Sequence, residues 1–347
     1  MKKVMVTGGS GFVGTHLVSE LLNHGYFVIN IDNYSKYGPT KRQFDQHENY
    51  RMYQMDARDI EREFNSNSRN DDFVAQVKDI ECIVNLAAML GGIEFFHKYA
   101  FDLMATNEEI LASVFRLAIR LNKDFNLKRI VQMSSSMVYE SCPAPNKEGD
   151  ELKYPVAKSV YGFQKMASEF FCKGALEQYG LPYTIVRAFN CVGKYEDKEK
   201  GLVDSNTNKM NLAHVVPDLI NRALQLQPED KLPILGAGNQ VRCYTNGRDI
   251  ARGIRLAMES DAAINNDFNI STPTPTSVTE LATKIWRKIH GCDPAFEHME
   301  PFKYDVQVRR PSVQKAKELL GFEAEISLDE SLDEVIEYIK ATQMLVK

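Results

Sequence analysis

A tyrosine and a lysine stand four residues apart in the segment Tyr161-Gly162-Phe163-Gln164-Lys165. Residues with this spacing lie on one face of a helix, so the phenol and the ammonium can point into the same cleft. A phenol with an unperturbed pKa of about 10 is a weak base at neutral pH, but a nearby cation stabilises the phenolate and lowers that pKa. The pair therefore predicts a tyrosine that removes a proton from a hydroxyl group.

A cluster of hydroxyl side chains precedes this pair, in Ser134-Ser135-Ser136-Met137-Val138-Tyr139. The cluster follows the predicted strand Arg129–Met133, and ligands collect at the carboxyl ends of the strands in open α/β sheets. A serine hydroxyl there can hydrogen-bond the same substrate oxygen whose proton Tyr161 removes. The spacing predicts that the serines and the tyrosine share one site.

Glycines form a tight turn near the start of the chain, in Gly8-Gly9-Ser10-Gly11-Phe12-Val13-Gly14. The predicted strand Val4–Thr7 precedes the turn, and an amphipathic pattern follows it. Glycine is needed where the backbone must turn sharply and approach a pyrophosphate closely, with the helix N-terminus facing the phosphates. The turn predicts a dinucleotide site rather than a purely structural loop.

Asp32 predicts which dinucleotide is bound. It lies eighteen residues beyond Gly14, at the end of the predicted strand Phe27–Asp32, where a carboxylate can accept hydrogen bonds from ribose hydroxyls. A 2′-phosphate would be repelled, so NAD is favoured over NADP; the alternative is a solvated loop aspartate. Asp56 is expected near the adenine amino group. The predicted cofactor residues are Gly8, Gly11, Phe12, Val13, Gly14, Asp32, Asn33, Asp56, Ala57, Leu86, Ala87, Ala88, Asn107, Tyr161 and Lys165.

Strand patterns alternate with helical patterns through the first half of the chain, which predicts βαβ units around a parallel sheet. The expected fold is an α/β Rossmann doubly wound parallel sheet with a smaller, interleaved α/β C-terminal lobe. We expect residues 1–190 to form the NAD-binding domain, to which 241–271 return. Residues 191–240, with a polar loop and a helix from about Ala213, and 272–347 are expected to form the substrate-binding lobe.

Composition excludes several classes of protein. The 347 residues carry a net charge of −5, with 44% hydrophobic and 26% charged residues, so neither nucleic acid nor an anionic membrane is expected as a partner. The six cysteines are scattered without metal-ligand spacing, so no metal is expected. The sequence begins without a signal-peptide pattern and has no long apolar run, which favours a cytoplasmic protein.

Together these motifs resemble the nucleotide-sugar epimerase/dehydratase branch of the extended short-chain dehydrogenases, over nearly the whole chain. Four further segments carry the resemblance: Asn85-Leu86-Ala87-Ala88, Arg187-Ala188-Phe189-Asn190, Gly236-Ala237-Gly238-Asn239-Gln240-Val241-Arg242, and Lys315–Phe322 preceded by Arg309. The resemblance implies that Ser135 is the hydroxyl partner of Tyr161. It also implies that Asn190, Arg242 and Arg309 face a substrate diphosphate. The alternative for the two arginines is that they are surface charges without a ligand.

The resemblance also narrows the reaction. The 4,6-dehydratases of the family have an Asp-Glu pair where this chain has Ser136-Met137, so elimination of water is not expected. We expect an NAD-dependent nucleotide-sugar epimerase that acts through a transient 4-keto sugar, most plainly at C4. Its catalytic residues would be Tyr161, Lys165 and Ser135. The predicted substrate residues are Gly91, Gly92, Ser136, Asn190, His214, Val215, Arg242 and Arg309.

Three alternatives remain open. A GDP-sugar 3,5-epimerase or epimerase-reductase is supported by the loop Ala87–Ile93 and by His214, which resembles the acid histidine of GDP-fucose synthase, but the epimerising cysteine of those enzymes falls at Met137. His214 is equally compatible with capping a helix. A one-way nucleotide-sugar 4-dehydrogenase or reductase is the second alternative. A non-catalytic, dinucleotide-sensing protein is the third.

Two predicted helices carry apolar residues on more than one side, and related enzymes pair these helices across a two-fold axis. They are Ala105–Leu121 and Val160–Gln178, with Ile110, Leu111, Val114, Phe115, Leu117, Phe163, Met166, Phe170 and Phe171. An exposed apolar stripe of this length would be a liability in a monomer. We therefore expect a homodimer.

Overall fold

A seven-stranded parallel sheet forms the centre of the protein in a computed structural model that describes residues 1–65, 71–196, 214–300 and 306–344. In chain order the strands are β1 (Lys3–Thr7), β2 (Phe27–Asp32), β3 (Tyr50–Gln54), β4 (Cys82–Asn85), β5 (Arg129–Ser135), β6 (Tyr183–Ala188), β7 (Cys191–Val192), β8 (Lys231–Leu235), β9 (Val241–Arg242), β10 (Thr245–Asn246), β11 (Asn266–Ile270), β12 (Thr276–Ser277) and β13 (Ala295–Met299). The central sheet has the order β3-β2-β1-β4-β5-β6-β11, and β7–β10, β9–β12 and β8–β13 form two-stranded sheets.

Helices cover both faces of this sheet. They are α1 (Phe12–Asn23), α2 (Ile60–Asn65), α3 (Asp71–Lys78), α4 (Ile93–Lys98), α5 (Ala100–Asp124), α6 (Val160–Tyr179), α7 (Val215–Gln225), α8 (Gly247–Glu259), α9 (Val278–His290), α10 (Gln314–Leu320) and α11 (Leu328–Met344). Parallel strands covered on both faces carry nearly continuous apolar runs, such as Val4–Val6 in β1 and Cys82–Val84 in β4. The predicted α/β doubly wound fold is confirmed.

Each face of the sheet has its own core. Helices α1 and α8 pack on one face through residues such as Leu17, Leu21 and Ile254. Helices α5 and α6 pack on the other through residues such as Val114 and Cys172. Because these cores fix both faces, side chains at the carboxyl ends of the strands are held by a rigid frame.

A third core lies in the C-terminal part of the chain and joins α7, α9 and α11 to β8. Leu219, Ile234, Trp286, Leu332 and Ile336 belong to it and are buried. Strand β11 does not belong to this lobe, because it pairs with β6 at the edge of the central sheet. The predicted polar loop includes residues 197–213, and these lie outside the described part of the chain. The predicted domain boundaries stay a prediction.

A buried ion cluster ties the end of β5 to α6. The Arg187 side chain is 1% exposed and lies 2.7 Å from Glu169, 2.9 Å from Glu151 and 2.6 Å from Asp267. Burying charges is costly unless they are paired, so this cluster holds its members in one arrangement. The Ser134 hydroxyl donates to Glu169 at 2.6 Å. The cluster thereby fixes the strand end that carries Ser135 against the helix that carries Lys165.

The apolar stripe that suggested a dimer is largely buried within one chain. Ile110, Leu111, Val114, Phe115 and Leu117 of α5 pack in the core beneath α6. Of the four α6 residues named with them, Phe163 and Phe170 are exposed, at 45% and 55%. Phe101, at the start of α5, is 81% exposed. The homodimer stays a prediction, and these three phenylalanines are the residues that now support it.

Along the described segments, no helix combines the length and the apolar content that crossing a membrane requires.

Candidate active site

A cavity of about 790 Å³ lies at the carboxyl ends of β1, β2, β4 and β5 and continues toward α7 and β8. This edge of a doubly wound sheet is where such folds bind ligands. One half of the cavity is lined by the glycine turn and Asp32, and the other half by residues of the C-terminal lobe. Tyr161 lies among the lining residues as well.

The glycine turn forms the floor of the first half. Gly8 has φ +74°, and a Cβ on Gly14 would lie 2.1 Å from the Gly8 carbonyl oxygen, so neither position accommodates a side chain. Helix α1 begins directly after Gly11, and no side chain caps that end. The first N–H groups of the helix therefore remain available to phosphate oxygens.

Asp32 is held by the backbone at the far end of this half. Its carboxylate accepts hydrogen bonds from the Ser10 N–H at 2.9 Å and the Tyr34 N–H at 2.8 Å. Burial raises the pKa of Asp32, while these two hydrogen bonds and the positive charge of Arg42 act in the opposite direction. The sequence did not indicate that Arg42, ten residues away, comes within electrostatic reach of Asp32.

Asp56 accepts hydrogen bonds from two neighbouring residues, Asn33 and Arg58. The Asn33 amide donates to the Asp56 carboxylate at 2.8 Å, and Arg58 donates to it from its backbone and its guanidinium. Burial acts to raise the pKa of Asp56, but the hydrogen bonds from Arg58 and Asn33 outweigh burial and hold that pKa below its usual value. The carboxylate is therefore charged and already oriented at the edge of the cavity.

Tyr161 is brought together with Ser135 and Lys165. Burial raises the pKa of the Tyr161 phenol, and a hydrogen bond with the Ser135 hydroxyl opposes this effect. The Lys165 ammonium lies 5.7 Å from the centre of the Tyr161 ring. Burial lowers the pKa of Lys165 to about 8, against the opposing charge of Glu108. The Tyr161 phenol, the Ser135 hydroxyl and the Lys165 ammonium thus lie close together in the cavity, and the pKa of the ammonium is low enough for it to lose its proton near pH 8.

Phe96 stacks on the ring of Tyr161, with ring centres 4.1 Å apart and planes 6° from parallel. It belongs to α4, a short helix that the sequence reasoning did not predict. The available signal was the apolar pair Phe95-Phe96 after Gly91-Gly92. The stacked ring fixes the plane of the phenol and makes this part of the cavity apolar.

Asn107 holds the loop that precedes α4. Its side chain accepts from the Met89 N–H at 2.7 Å and donates to the Met89 carbonyl at 3.0 Å. Gly8 also lies close to this loop, because a Cβ there would be 2.9 Å from the Ala87 nitrogen. Asn107 and Gly91 do not line the cavity, whereas Ala87, Ala88 and Gly92 do. Asn107 therefore holds in place the loop whose residues line the cavity, without lining the cavity itself.

Three polar side chains, Asn190, Arg242 and Arg309, line the same cavity as Tyr161. The Asn190 amide nitrogen is buried and has no hydrogen-bond partner among the described residues. Arg309 donates to the Ser136 hydroxyl at 3.2 Å and also acts to lower the pKa of Tyr161. Arg242 is buried and donates to the Val241 carbonyl at 2.9 Å. A buried amide donor without a partner fits a site that receives an anionic ligand.

His214 occupies the residue before α7, but its side chain does not cap the helix. Its Nδ1 instead contacts the carboxylate of Glu196, which is 7% exposed. Burial acts to raise the pKa of Glu196, but the neighbouring His214 outweighs burial and lowers it. Glu196 therefore orients the His214 ring at the cavity wall, and the sequence reasoning did not identify it.

The structure places most of the predicted site residues along this cavity. The lining includes Gly8, Gly11, Phe12, Val13, Gly14, Asp32, Asn33, Asp56, Ala57, Leu86, Ala87, Ala88, Gly92, Ser135, Ser136, Tyr161, Lys165, Asn190, His214, Val215, Arg242 and Arg309. It also includes residues that the sequence reasoning missed, among them Phe96, Cys191, Asp218, Leu219, Arg222, Ile234 and Val278.

Comparison with known proteins agrees with this geometry. Residues 4–271 match the model of the NAD dependent epimerase/dehydratase family. The chain is 28% identical to a UDP-N-acetyl-alpha-D-glucosaminuronate decarboxylase of Bacillus cytotoxicus, over 98% of each chain. It is 26% identical to a UDP-glucuronate 4-epimerase of Thermodesulfobacterium geofontis, over 99% of this chain and 98% of that one.

A solved structure is similar over the whole molecule. The UDP-glucose 4-epimerase of Thermotoga maritima, crystallised with UDP-glucose, superposes with a TM-score of 0.79 and 28% identity, over 98% of this chain and 99% of that one. The glycine turn, Asp32 and the Tyr161–Lys165 pair all lie within the matched family region and line one cavity. The chain is an enzyme of the NAD dependent epimerase/dehydratase family, and its cofactor is NAD.

Proposed function

We propose that this enzyme epimerises a nucleotide-sugar at C4 through a transient 4-keto sugar. The observation that carries the proposal is the convergence of Ser135 and Lys165 on Tyr161, at the junction of the two halves of the cavity. This arrangement can remove the proton of a sugar hydroxyl and return it later. The relatives include 4-epimerases, which supports the same reaction.

The residues of the first half fit NAD. The tight turn at Gly8–Gly14 requires glycine at Gly8 and Gly14, where a Cβ would meet the neighbouring backbone, and such a turn suits a pyrophosphate. Asp32 would offer its carboxylate to the adenosine ribose. When bound, NAD supplies the acceptor of the sugar hydride and returns that hydride. The protein supplies orientation and proton transfer.

In the proposed mechanism the Tyr161 phenolate removes the proton of the C4 hydroxyl while Ser135 hydrogen-bonds the same oxygen. The Lys165 ammonium stabilises the phenolate electrostatically, since its charge lies close to the ring. The 4-keto sugar then turns within the cavity. Once the sugar presents its opposite face, Tyr161 would return the proton to the C4 oxygen, and C4 would be left inverted.

The ketone must be retained while it turns, and the diphosphate provides the anchor. The Asn190 amide donor, which lacks a partner among the described residues, lines the same cavity as Tyr161, and so do Arg242 and Val215 at the N-terminus of α7. A helix N-terminus and guanidinium groups both suit phosphate oxygens. We assign the diphosphate to this space, which leaves the sugar beside Tyr161 and Phe96.

A second candidate function is decarboxylation of a nucleotide-uronic acid. Arg309 lies at Ser136, 3.2 Å from its hydroxyl, and within electrostatic reach of Tyr161, so its charge can pair with a carboxylate on C5 of the sugar. Oxidation at C4 would make that group a β-keto acid, which releases carbon dioxide and leaves a C5 carbanion to be protonated. The Bacillus cytotoxicus relative is named as such a decarboxylase.

Heavy water separates these candidates. A panel of nucleotide-sugars is incubated with the NAD-loaded enzyme in D₂O and the products are examined by NMR. C4 epimerisation returns the same hydride, so we expect inversion at C4 and no deuterium on carbon. Deuterium at C3 or C5 that disappears in His214→Ala would contradict the proposal and favour a 3,5-epimerase. Carbon dioxide release with deuterium at C5 would favour decarboxylation, and net NADH formation a 4-dehydrogenase.

A further inference from the structure

We propose that Glu108 of α5 is a positioning residue that holds Lys165 in its charged form beside Tyr161. The inference deepens the proposed function and rests on it for the role of Tyr161 as a base. Glu108 does not line the cavity, whereas Thr106 and Ile110, two residues before and after it, do. Glu108 therefore acts on the reaction from outside the cavity, through Lys165.

The packing of α5 against α6 brings Glu108 to the helix that carries the catalytic pair. Gln164 and Lys165 of α6 are 2% and 5% exposed, and the Gln164 side chain is a hydrogen-bond neighbour of Glu108. One carboxylate oxygen of Glu108 is buried and has no hydrogen-bond partner among the described residues, and the same holds for the amide oxygen of Gln164. Buried acceptors of this kind are uncommon in native structures, and a catalytic role is one reason for their presence.

The charge of Glu108 opposes the effect of burial on Lys165. Burial lowers the pKa of the Lys165 ammonium to about 8, and the negative charge of Glu108 acts to raise it. Burial raises the pKa of Glu108 itself, while Gln164 and the positive charge of Lys165 act to lower it. Each of the two charged groups thus favours the ionised form of the other.

The other ionisable groups around Lys165 do not take this part. Tyr161 and Glu169 lie one helical turn before and after Lys165 on α6, so they share its face of the helix. The carboxylate of Glu169 is already paired with the buried guanidinium of Arg187 at 2.7 Å. Among the described residues, Glu108 is therefore the anion that α5 presents to the ammonium.

This balance matters because Lys165 loses its proton before Tyr161 does. Burial raises the pKa of Tyr161 above its usual value of 10, and Cys191 acts in the same direction while Arg309 opposes it. The Lys165 pKa of about 8 lies below that value. An ammonium stabilises a phenolate only where it is itself charged, so Glu108 sets the alkaline limit of the useful pH range.

Unfolding measured against pH tests the pairing without turnover. The free energy of unfolding of Lys165→Met is compared with that of its parent, once in the wild type and once in the Glu108→Gln background, by urea titration of the full-length protein freed of cofactor. The pH at which the difference begins to shrink reports the Lys165 pKa in the folded protein. We expect that pH to be about one unit lower in the Glu108→Gln background, since an adjacent opposite charge shifts a pKa by about 1–3 units.

Kinetics of the NAD-loaded enzyme with UDP-glucose and UDP-glucuronate as probes give a second readout. In Glu108→Gln the alkaline limb of the kcat profile should move down by the same unit, so kcat at pH 9 falls by about tenfold while KM changes by less than about twofold. Glu108→Asp keeps the charge and should restore most of the profile. Glu177→Gln is the matched control, because Glu177 is an exposed glutamate on α6, and its profile should be that of the wild type.

Each outcome bears on the inference. The same pH dependence of the stability difference in both backgrounds overturns it, whatever the kinetics show. A loss of kcat that is equal at every pH and is not rescued by Glu108→Asp indicates a purely structural role for Glu108 and also overturns it. The expected stability shift, found together with no turnover of any nucleotide-sugar by the wild type, supports the pairing and contradicts the proposed function.

Discussion

Lys165 lies buried beside Tyr161, and this position has an energetic cost that can be measured. The side chain is 5% exposed, and burial lowers the pKa of its ammonium from the usual 10.5 to about 8. At pH 7 the ammonium is protonated in the folded and in the unfolded protein. The folded protein then carries a charge that the interior disfavours, so removing the charge should stabilise the fold while impairing the reaction.

The size of the effect follows from the pKa. The fall from 10.5 to about 8 corresponds to about 3 kcal/mol, because one pKa unit is worth about 1.36 kcal/mol. Lys165→Met keeps an unbranched stem of similar length and removes the charge. We therefore expect its free energy of unfolding at pH 7 to exceed that of the wild type by up to about 3 kcal/mol, and its turnover to fall by at least about a hundredfold.

The pH dependence has a definite sign. Below pH 8 the folded and unfolded wild-type proteins both hold the proton, and the cost is fully present. Between about 8 and 10.5 the folded protein has released the proton and the unfolded protein has not, so the wild type gains stability as the pH rises. The advantage of Lys165→Met should therefore shrink across this interval and vanish above it.

Urea unfolding followed by circular dichroism, on protein freed of cofactor, measures this difference at several pH values. Lys158→Met is the matched control, because Lys158 is exposed, and its effect should stay within about 0.5 kcal/mol and not vary with pH. The reasoning is refuted if Lys165→Met is no more stable than the wild type at pH 7. It is also refuted if the difference is the same at pH 7 and pH 10.

Three further predictions concern the cofactor, the reaction and the assembly. Calorimetry should show NAD bound at least about tenfold more tightly than NADP, because we expect the Asp32 carboxylate to face the adenosine ribose and to repel a 2′-phosphate; equal affinities would contradict this. Tyr161→Phe should lower kcat at least about a thousandfold while NAD affinity changes little; a near-normal rate would remove Tyr161 from the mechanism. Light scattering should give a dimer of about twice 39.5 kDa, and Phe163→Glu with Phe170→Glu should yield monomers, whereas a monomeric wild type would refute it.

The sequence predicted elements whose apolar pattern is strong and bounded by turn residues. The predicted range of β2 agrees with the structure, and that of α6 differs by one residue at its end. In α9 a capping box between Ser277 and Glu280 marks the start, and Gly291 marks the end. Local signals of this kind fix a boundary without reference to the rest of the fold.

The parts of the site that escaped sequence reasoning depend on residues that are distant in the chain. The stacking of Phe96 on Tyr161, and the contact between Glu196 and His214, are set by how loops and helices pack rather than by any local motif. Arg309 was assigned to the diphosphate by resemblance, and the structure brings its guanidinium to Ser136. Helix α4 was missed because six residues after a glycine pair carry too little periodicity to be recognised.

The pairing of β6 with β11 has a consequence for how the protein is made. Residues 189–265 separate these two strands, yet β11 covers the outer edge of β6 along five residue pairs, from Thr184 to Ala188. During synthesis the outer edge of β6 stays unpaired until residue 270 has left the ribosome. Unpaired strand edges can form hydrogen bonds with other chains. A fragment that stops near residue 190 should therefore aggregate more readily than one extended through β11, in which β6 is paired along its length. Strand β11, the last strand of this sheet to be synthesised, thus completes the pairing of a sheet whose other strands are synthesised before residue 190.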